Sequence, residues 1–350
     1  MHMEMNPPPG ATVLRYVGDK IRFTLASSLE GDEAFLRTNI GRATLLQAEV
    51  VEEYWEELER WHVIPGEPRE TKIPRGLAWR DIPMKRTTTG WELELVLTEV
   101  GWFSAKAYLL DPNQRQVWPE GPNCGITVHP NELRTGNSIY CAFTRMFGET
   151  KSARINSRTQ DSRLTALDDE GYAVIPPSGT LRDLKRELPH IFKTLGFRYL
   201  QLLPVNPTPT TYARFGRYGS PYASQDLTAI DPALVEFDRR TTGIDQFREL
   251  TDAAHQLGGR VLLDIVINHT GWGSREQQSH PEWFLRNPNG IFESPGAWGT
   301  TWEDLVEIDH RKPLPWDYLA EVFLTWCRRG VDGFRCDAGY KIPTNAWRYI

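Results

Sequence analysis

The 350-residue sequence has little of several features that would assign it to a special class of protein. It has only 4 cysteines, which argues against a disulfide framework. Cys141 and Cys336 fall in apolar segments and Cys327 in a helical pattern, so we expect these thiols to be buried. No apolar run approaches the roughly 18 residues of a membrane span, and the N-terminus has no basic or apolar signal region. We therefore expect a cytoplasmic location and no membrane partner.

Neither sign of charge is in large excess. The chain has 46 acidic and 40 basic residues, and this balance offers no electrostatic footprint for nucleic acid. The sequence also lacks the GxGxxG, P-loop, GxSxG, CxxC and HExxH patterns, which argues against the corresponding nucleotide, hydrolase, redox and zinc sites. The 13 tryptophans and 12 tyrosines suit carbohydrate stacking as well as an ordinary core. No feature of the sequence indicates the oligomeric state.

Three segments repeat the order helix, glycine, apolar strand. In the first, residues 180–196, Thr180 and Asp183 predict a helix N-terminus, and Pro189 predicts a kink or break. The strands that follow the three helices are predicted at 197–205, 260–269 and 331–337. They are continuous apolar runs, which are typical of a parallel sheet covered on both faces. The alternation predicts an α/β fold, and the pattern alone leaves both a doubly wound sheet and a (β/α)8 barrel open.

The strand GFRCD places Arg335 two residues before Asp337. Side chains alternate along a strand, so these two share one face. A guanidinium keeps a neighbouring carboxylate ionised and oriented, as a nucleophilic aspartate requires. A structural Arg–Asp pair explains the segment equally well.

Five motifs in this order resemble the α-amylase superfamily, glycoside hydrolase family 13. They are YGSPYASQDLTAIDP (218–232), DIVINH (264–269), HPEWFLRNPNG (280–290), WEDLVEID (302–309) and GFRCD (333–337). The resemblance covers residues 137–350, with SIYCAFT (138–144) as the first strand. It implies a (β/α)8 TIM-type barrel of which about strands one to four are present, with an excursion at about 270–312 after strand three.

The resemblance implies a retaining enzyme acting on starch, glycogen or maltodextrin, either a glycosidase or a glucanotransferase. Asp337 would be the nucleophile that forms a covalent glycosyl-enzyme, and Arg335 would orient it. His269 would hydrogen-bond the reacting sugar, and Tyr222 would stack on it. The α-glucan substrate is the partner that this resemblance implies.

The resemblance assigns further residues to the site. Asp264 and Asn268 would be structural, and calcium could be bound through Asn268; no other cofactor is implied. Tyr340 and Lys341 stand where many family members have Lys-His and would contact the sugar beyond the cleaved bond. Acceptor preference therefore does not carry over from the family.

The family's general acid, a glutamate after strand five, has no counterpart in this sequence. Glu303, Asp304, Glu307 and Asp309 are carboxylates in the excursion, and we interpret them as solvated loop charges or domain contacts. We therefore expect this chain to be a fragment of a longer protein and inactive alone. The alternative is a non-catalytic glucan-binding or scaffold protein with the same fold.

Residues 1–136 predict an N-terminal β-sandwich of immunoglobulin-like type. Alternating segments at 91–97 and 102–109 predict a hairpin around Val100-Gly101, and residues 51–62 predict a short helix. Exposed tryptophans such as Trp102 or Trp118 could bind glucan, or this domain could simply pack on the barrel. The polar stretch 149–178 predicts a loop.

Overall fold

The computed structural model describes residues 3–28, 33–62, 72–134, 137–148, 166–167, 169–170, 178–209 and 219–350. The chain divides into two compact units, Met1–Gly136 and Asn137–Ile350, at the residue where the sequence pattern changes. Most of the predicted loop 149–178 lies outside the described residues. Among the helices in these ranges, none is both long and apolar enough to cross a membrane.

The first unit contains two β-sheets that share one hydrophobic core. Its described strands are β1 Met3–Asn6, β2 Thr12–Tyr16, β3 Lys20–Ser27, β4 Glu33–Thr38, β5 Arg80–Pro83, β6 Lys85–Thr87, β7 Gly90–Val96, β8 Gly101–Leu110, β9 Gln116–Val117 and β10 Cys124–His129. One sheet has the order β1-β3-β7-β6, and the other has the order β2-β10-β8-β4-β5 with β9 paired to β8. Phe23 of the first sheet and Phe103 of the second are both buried in the shared core.

The predicted hairpin of residues 91–97 and 102–109 is wrong, although both segments are strands. β7 pairs with β3 and β6, whereas β8 pairs with β4, β9 and β10, so the two strands lie in different sheets. Leu97, in the connection, is buried, and its backbone N–H donates to the carbonyl of Asp19 at 2.8 Å. Alternation predicts a half-buried strand, but it does not identify the strand's partner.

The helix predicted at 51–62 is longer and begins earlier, as α1 Ala43–Arg60. A carboxylate oxygen of Glu99 accepts a hydrogen bond from the backbone N–H of Ala43 at 2.9 Å. The first N–H groups of a helix need such partners from outside the helix. Because Glu99 is distant in sequence, the local pattern could not reveal this start.

The second unit is built around a parallel sheet. Its described strands are β11 Ile139–Ala142, β12 Tyr199–Leu202, β13 Arg260–Val266, β14 His269–Gly271, β15 Gly296–Ala297, β16 Thr300–Thr301, β17 Leu305–Glu307 and β18 Gly333–Asp337; its described helices are α2 Leu181–Pro189, α3 Gly243–Gln256, α4 Arg275–Ser279, α5 Trp316–Cys327 and α6 Thr344–Tyr349. β11, β12, β13 and β18 are neighbours in that order, and all three pairings are parallel. The predicted α/β alternation is confirmed.

The predicted start and interruption of α2 are also confirmed. The side chain of Thr180 accepts a hydrogen bond from the backbone N–H of Asp183, which in turn caps the backbone of Thr180. The α-helix ends at Pro189, and residues His190–Thr194 continue as one π-helical turn. Proline has no backbone N–H to donate within a helix, which explains the change.

The two faces of the parallel sheet differ in exposure. Leu200 and Val261 lie opposite each other and are fully buried, whereas Cys141 on the other face is exposed. That second face is unevenly covered, because Asp264 of β13 lies on it and is only 1% exposed, so the predicted covering fails at the edge strand β11 and not at β13. The predicted burial is wrong for Cys141 and for Cys327, and Cys336 is half-buried. A strand pattern shows which residues share a face, but it does not show whether another element covers that face.

The excursion after β13 has its own small fold. β14 pairs with β17 and β15 with β16, both antiparallel. Phe284, Val306 and Ile308 form a separate buried cluster. The strand predicted at 260–269 therefore ends at Val266, and His269 belongs to the excursion.

Candidate functional site

Three charged side chains meet near the carboxyl ends of β13 and β18. In the parallel register Asp264 lies opposite Arg335, and Val266 lies opposite Asp337. The Nη1 atom of Arg335 lies 2.7 Å from Oδ1 of Asp337 and 3.0 Å from Oδ1 of Asp264. Arg335 and Asp337 share one face of the strand, as their spacing predicts, and they are in direct contact, so that one guanidinium nitrogen is shared by two carboxylates.

The two carboxylates differ in environment. Asp264 is 1% exposed, whereas the side chain of Asp337 is 27% exposed. Burial raises the pKa of the Asp264 carboxyl, and Arg335 acts against that rise. Although burial acts to lower the pKa of Arg335, the carboxylates of Asp264 and Asp337 raise it, so the guanidinium stays charged. Asp337 is therefore the carboxylate of this cluster that a ligand can reach.

Tyr222 joins the cluster from the loop after β12. Its hydroxyl group donates a hydrogen bond to Oδ2 of Asp264 at 3.1 Å, and its backbone N–H donates to Oγ of Ser220 at 3.3 Å. Burial, followed by the charge of Asp264, raises the pKa of the Tyr222 phenol. The phenol is thus a neutral donor that holds Asp264 in place, a contact the sequence did not predict.

His269 is buried beside this cluster, with 1% of its surface exposed. Its Nδ1 atom lies 3.2 Å from the side-chain nitrogen of Asn268, which is equally buried. Burial lowers the pKa of His269 to about 3, so the ring is neutral at physiological pH. Within the described residues, the Nε2 atom makes no hydrogen bond of ordinary geometry, although the backbone of Tyr222 lies close enough to act against the fall in the pKa of the ring. An unpaired buried nitrogen costs stability, and a ligand or water molecule would satisfy it.

Residues of the excursion line the same region. The ring centroid of Trp302 lies 6.0 Å from that of His269, and the Lys341 ammonium lies 5.5 Å from the Trp302 ring centroid. Lys341 is also 3.6 Å from a carboxylate oxygen of Glu307, which lies opposite His269 in the β14–β17 pairing. Trp302 is a site residue that sequence reasoning missed, although it opens the motif WEDLVEID.

The interpretation of the four excursion carboxylates as solvated loop charges is wrong for Asp304 and Asp309, and the alternative, domain contacts, stays a prediction. Only Glu303 of the four is exposed; Asp304 and Asp309 are buried, and Glu307 is half-buried against Lys341. Asp309 accepts two hydrogen bonds from the Arg311 guanidinium, at 2.7 and 2.9 Å. The short strand β17 and its neighbours carry these residues into the small fold of the excursion, which polar composition alone does not reveal.

Tyr340 lies in the turn directly after β18 and is 68% exposed. Its ring centroid is 6.5 Å from that of Trp298, which is 90% exposed at the tip of the β15–β16 hairpin. Tyr340 is therefore near Asp337 in the sequence, but it lies outside the cluster of Asp264, Arg335 and Asp337. Trp298 is a second residue that no sequence motif indicated.

Calcium binding through Asn268 stays a prediction. In the described part of the chain, no group of three or more His, Cys, Asp or Glu side chains is placed to hold a metal ion. Calcium takes six to eight oxygen ligands, several of them usually carboxylates. A calcium ion at Asn268 would therefore need amide, carbonyl or water oxygens as its other ligands, and we derive no step from one.

Comparisons of the chain with known proteins all indicate the same family. The family model described as the catalytic domain of alpha amylase matches residues 141–347. The alpha-1,4-glucan:maltose-1-phosphate maltosyltransferase of Rhodospirillum rubrum is 33% identical over 193 residues, which cover 49% of this chain and 26% of that protein. Neopullulanase 2 of Thermoactinomyces vulgaris is 25% identical over 183 residues, which cover 49% of this chain and 28% of that protein.

A solved structure of an alpha-amylase from Lactobacillus plantarum is 31% identical, with a TM-score of 0.47. The match covers 60% of this chain and 40% of that one. The matched part of the chain thus spans between 26% and 40% of the length of these three proteins.

Proposed function

The chain belongs to the α-amylase family, and on that premise we propose that it forms part of a retaining α-glucan enzyme. The observation that carries the proposal is the sharing of Arg335 between buried Asp264 and accessible Asp337. The substrate would be starch, glycogen or maltodextrin. The names of the relatives include both a glycosyl-transferring and a glycan-hydrolysing enzyme. Nothing on the molecule favours a non-catalytic scaffold over this reading.

The architecture supports a specific version of this proposal. Four parallel strands in sequential order, each linked to the next by a helical connection, suit the first half of a (β/α)8 barrel. The two sheets of Met1–Gly136 around one core suit a β-sandwich domain. In a barrel, catalytic groups lie at the carboxyl ends of the strands, where Asp337 ends β18.

The proposed chemistry begins at Asp337. Its free oxygen would attack the anomeric carbon while the glycosidic bond breaks, which gives a covalent glycosyl-enzyme. Arg335 would keep this carboxylate ionised and fix its orientation, and Asp264 with the Tyr222 hydroxyl would fix Arg335 in turn. A water molecule or a second sugar would then accept the glycosyl group.

The remaining residues would bind the sugar. The Nε2 atom of His269 makes no hydrogen bond of ordinary geometry and so suits one to a sugar hydroxyl, and the Trp302 ring lies beside it. The Tyr222 ring would stack on the apolar face of the same sugar. Tyr340 and Lys341 would contact the sugar beyond the cleaved bond. Cytoplasmic location remains a prediction.

We further propose that the general acid is supplied by a part of the protein outside these 350 residues. A general acid contributes roughly 10²–10⁴-fold to such a reaction, so this chain alone should not turn over α-glucans. The test compares maltooligosaccharide cleavage by this chain and by a form extended through the remaining barrel strands, with the product anomer followed by NMR. We expect α-anomer from the extended form only. A β-anomer, or turnover by the 350-residue chain, would contradict the proposal.

A further inference from the structure

A second polar site lies on the outer face of the second sheet of the first unit. Ala34 and Leu36 of β4 point into the core, so Arg37 points away from it. In the register Arg37 lies opposite Asp81 on β5 and opposite Lys106 on β8, so these side chains form one row. This row is the floor of a cleft of about 500 Å³, whose lining includes Arg37, Trp79, Arg80, Asp81, Lys106 and Trp118.

The charges in this cleft are not balanced. The Arg37 guanidinium donates two hydrogen bonds to the Asp81 carboxylate, at 2.8 and 2.7 Å, so these two charges neutralise each other. Arg80 donates to the carbonyl of Ile40 at 3.0 Å, and Lys106 donates to the carbonyl of Gly121. A carbonyl satisfies a donor but leaves the positive charge in place. Lys106 therefore keeps an unneutralised positive charge on the floor of the cleft. Arg80, which alternates with Asp81 along β5, keeps one elsewhere in the lining, on a chain whose net charge is −6.

One aromatic wall of the cleft, Trp118, is held in place by its neighbours. The Trp118 ring centroid lies 4.5 Å from that of Tyr108, which is buried, and the Arg37 guanidinium lies 5.4 Å from the Trp118 ring. Trp79 is half-buried next to Arg80 in the chain. Flat rings of this kind suit the face of a sugar or of a base, since each presents a broad surface for stacking.

We propose that this cleft binds a phosphorylated, ring-bearing small molecule, either a sugar phosphate or a nucleotide. The phosphoryl group would contact Lys106 and Arg80, and the ring would lie against Trp79 and Trp118. Lysine and arginine side chains with free donors bind phosphate groups. The excess positive charge of the cleft excludes a cationic ligand. The site is independent of the glucan chemistry proposed for the second unit.

Isothermal titration calorimetry on the 350-residue chain tests this assignment. The ligands are glucose 1-phosphate, AMP, glucose and inorganic phosphate, each at low and at moderate salt. We expect at least one phosphorylated ring to bind about tenfold or more tightly than glucose or inorganic phosphate. Its affinity should fall as salt is raised, because exposed charges are screened. Tighter binding of glucose 1-phosphate or of AMP identifies the source, and either result supports the site.

Two variants separate the phosphate contact from the ring contact. Lys106→Gln should weaken the phosphorylated ligand roughly tenfold, because one charge-assisted contact is lost. Lys85→Gln removes the same charge from an exposed lysine of the other sheet and should change nothing. Trp79→Leu should weaken the phosphorylated rings while leaving the binding of inorganic phosphate unaltered. Thermal unfolding of each variant checks that it is folded.

Several results would overturn the proposal. If glucose binds as tightly as glucose 1-phosphate, the phosphoryl group does not contribute to ligand recognition. If inorganic phosphate binds as tightly as either phosphorylated ring, the aromatic walls do not contribute to ligand recognition. Equal affinities in the wild type and in folded Lys106→Gln would place the ligand elsewhere, and no binding by any of the four compounds would reject the site.

Discussion

Each unit of the molecule holds an arginine paired with a carboxylate, but the two pairs differ in burial and in the charges around them. Arg335 is shared between Asp264, which is 1% exposed, and Asp337, so carboxylates are in excess there. In the first unit, the Arg37 and Asp81 side chains are 37% and 33% exposed, with further cations beside them.

This difference shows that an arginine–carboxylate pair does not by itself determine which ligand or transition state a site binds. An excess of carboxylate suits a positively charged, oxocarbenium-like transition state, whereas an excess of cations suits an anionic ligand. Burial adds a second distinction, because a buried charge depends on its partner far more than an exposed one does. The predictions below test these two distinctions.

The largest effect should follow the loss of the nucleophile. In the extended enzyme, Asp337→Asn should lower kcat by on the order of 10⁴-fold or more, because the amide cannot form the covalent intermediate. Steady-state kinetics on maltooligosaccharides measure this, and Glu303→Gln, which alters an exposed carboxylate, is the matched control. Near-normal turnover by Asp337→Asn would remove Asp337 from the nucleophile role.

The next effect concerns the stability of the buried pair. Arg335→Ala leaves the carboxylate of Asp264 buried with only the Tyr222 hydroxyl, and should lower the free energy of unfolding by about 2 kcal/mol. This expected loss of unfolding free energy is smaller than the usual loss for a fully buried pair, because the Arg335 side chain is 45% exposed. Urea unfolding measures the change. An unchanged midpoint would show that Asp264 does not depend on this cation.

His269 makes the stability of the second unit depend on pH. Its folded pKa of about 3 lies below the ordinary value of 6.5, so below pH 6.5 the unfolded state binds a proton that the folded state does not. Its contribution to stability is therefore present above pH 6.5 and is lost as the pH falls toward 3. Between pH 5.5 and 4, where the unfolded histidine is almost fully protonated, His269→Gln should flatten the fall in unfolding free energy by up to about 1.4 kcal/mol per pH unit.

Urea unfolding across that pH range measures the slope. His280→Gln, which changes a histidine whose side chain is 46% exposed, is the control and should leave the slope close to that of the wild type. Equal slopes in the wild type and in His269→Gln would mean that His269 is protonated in the folded protein.

The smallest effect is expected at the exposed pair. Asp81→Asn should lower the free energy of unfolding by less than about 1 kcal/mol, because solvent screens a pair that is a third exposed. The same urea experiment used for Arg335→Ala measures it. A loss as large as that in Arg335→Ala would abolish the distinction by burial that separates the two units.

Much of the second unit could be predicted from the sequence, because its signals are local. The capping box of Thr180 and Asp183, the stop at Pro189 and the alternation of strand and helix each depend on residues close together in the chain. The contact of Arg335 with Asp337 follows from their spacing of two on one strand.

The remaining features depend on partners far apart in the chain. The bond from Tyr222 to Asp264 joins a loop to a strand, and the position of Trp302 beside His269 depends on the pairing of β14 with β17. The two strands predicted to form a hairpin, β7 and β8, pair in different sheets for the same reason. Trp79, Arg80 and Lys106 come from separate segments, so no motif indicated their cleft.

The most direct measurement of the central claim is covalent trapping of the nucleophile. A 5-fluoro-α-glucosyl fluoride reacts as an Asp337 oxygen bonds to the anomeric carbon and fluoride leaves, a departure that needs little help from a general acid. We predict that peptide mass spectrometry of the extended enzyme will find one glucosyl adduct, on Asp337, and none in Asp337→Asn. An adduct on another carboxylate, or equal labelling of the Asp337→Asn variant, would contradict the account.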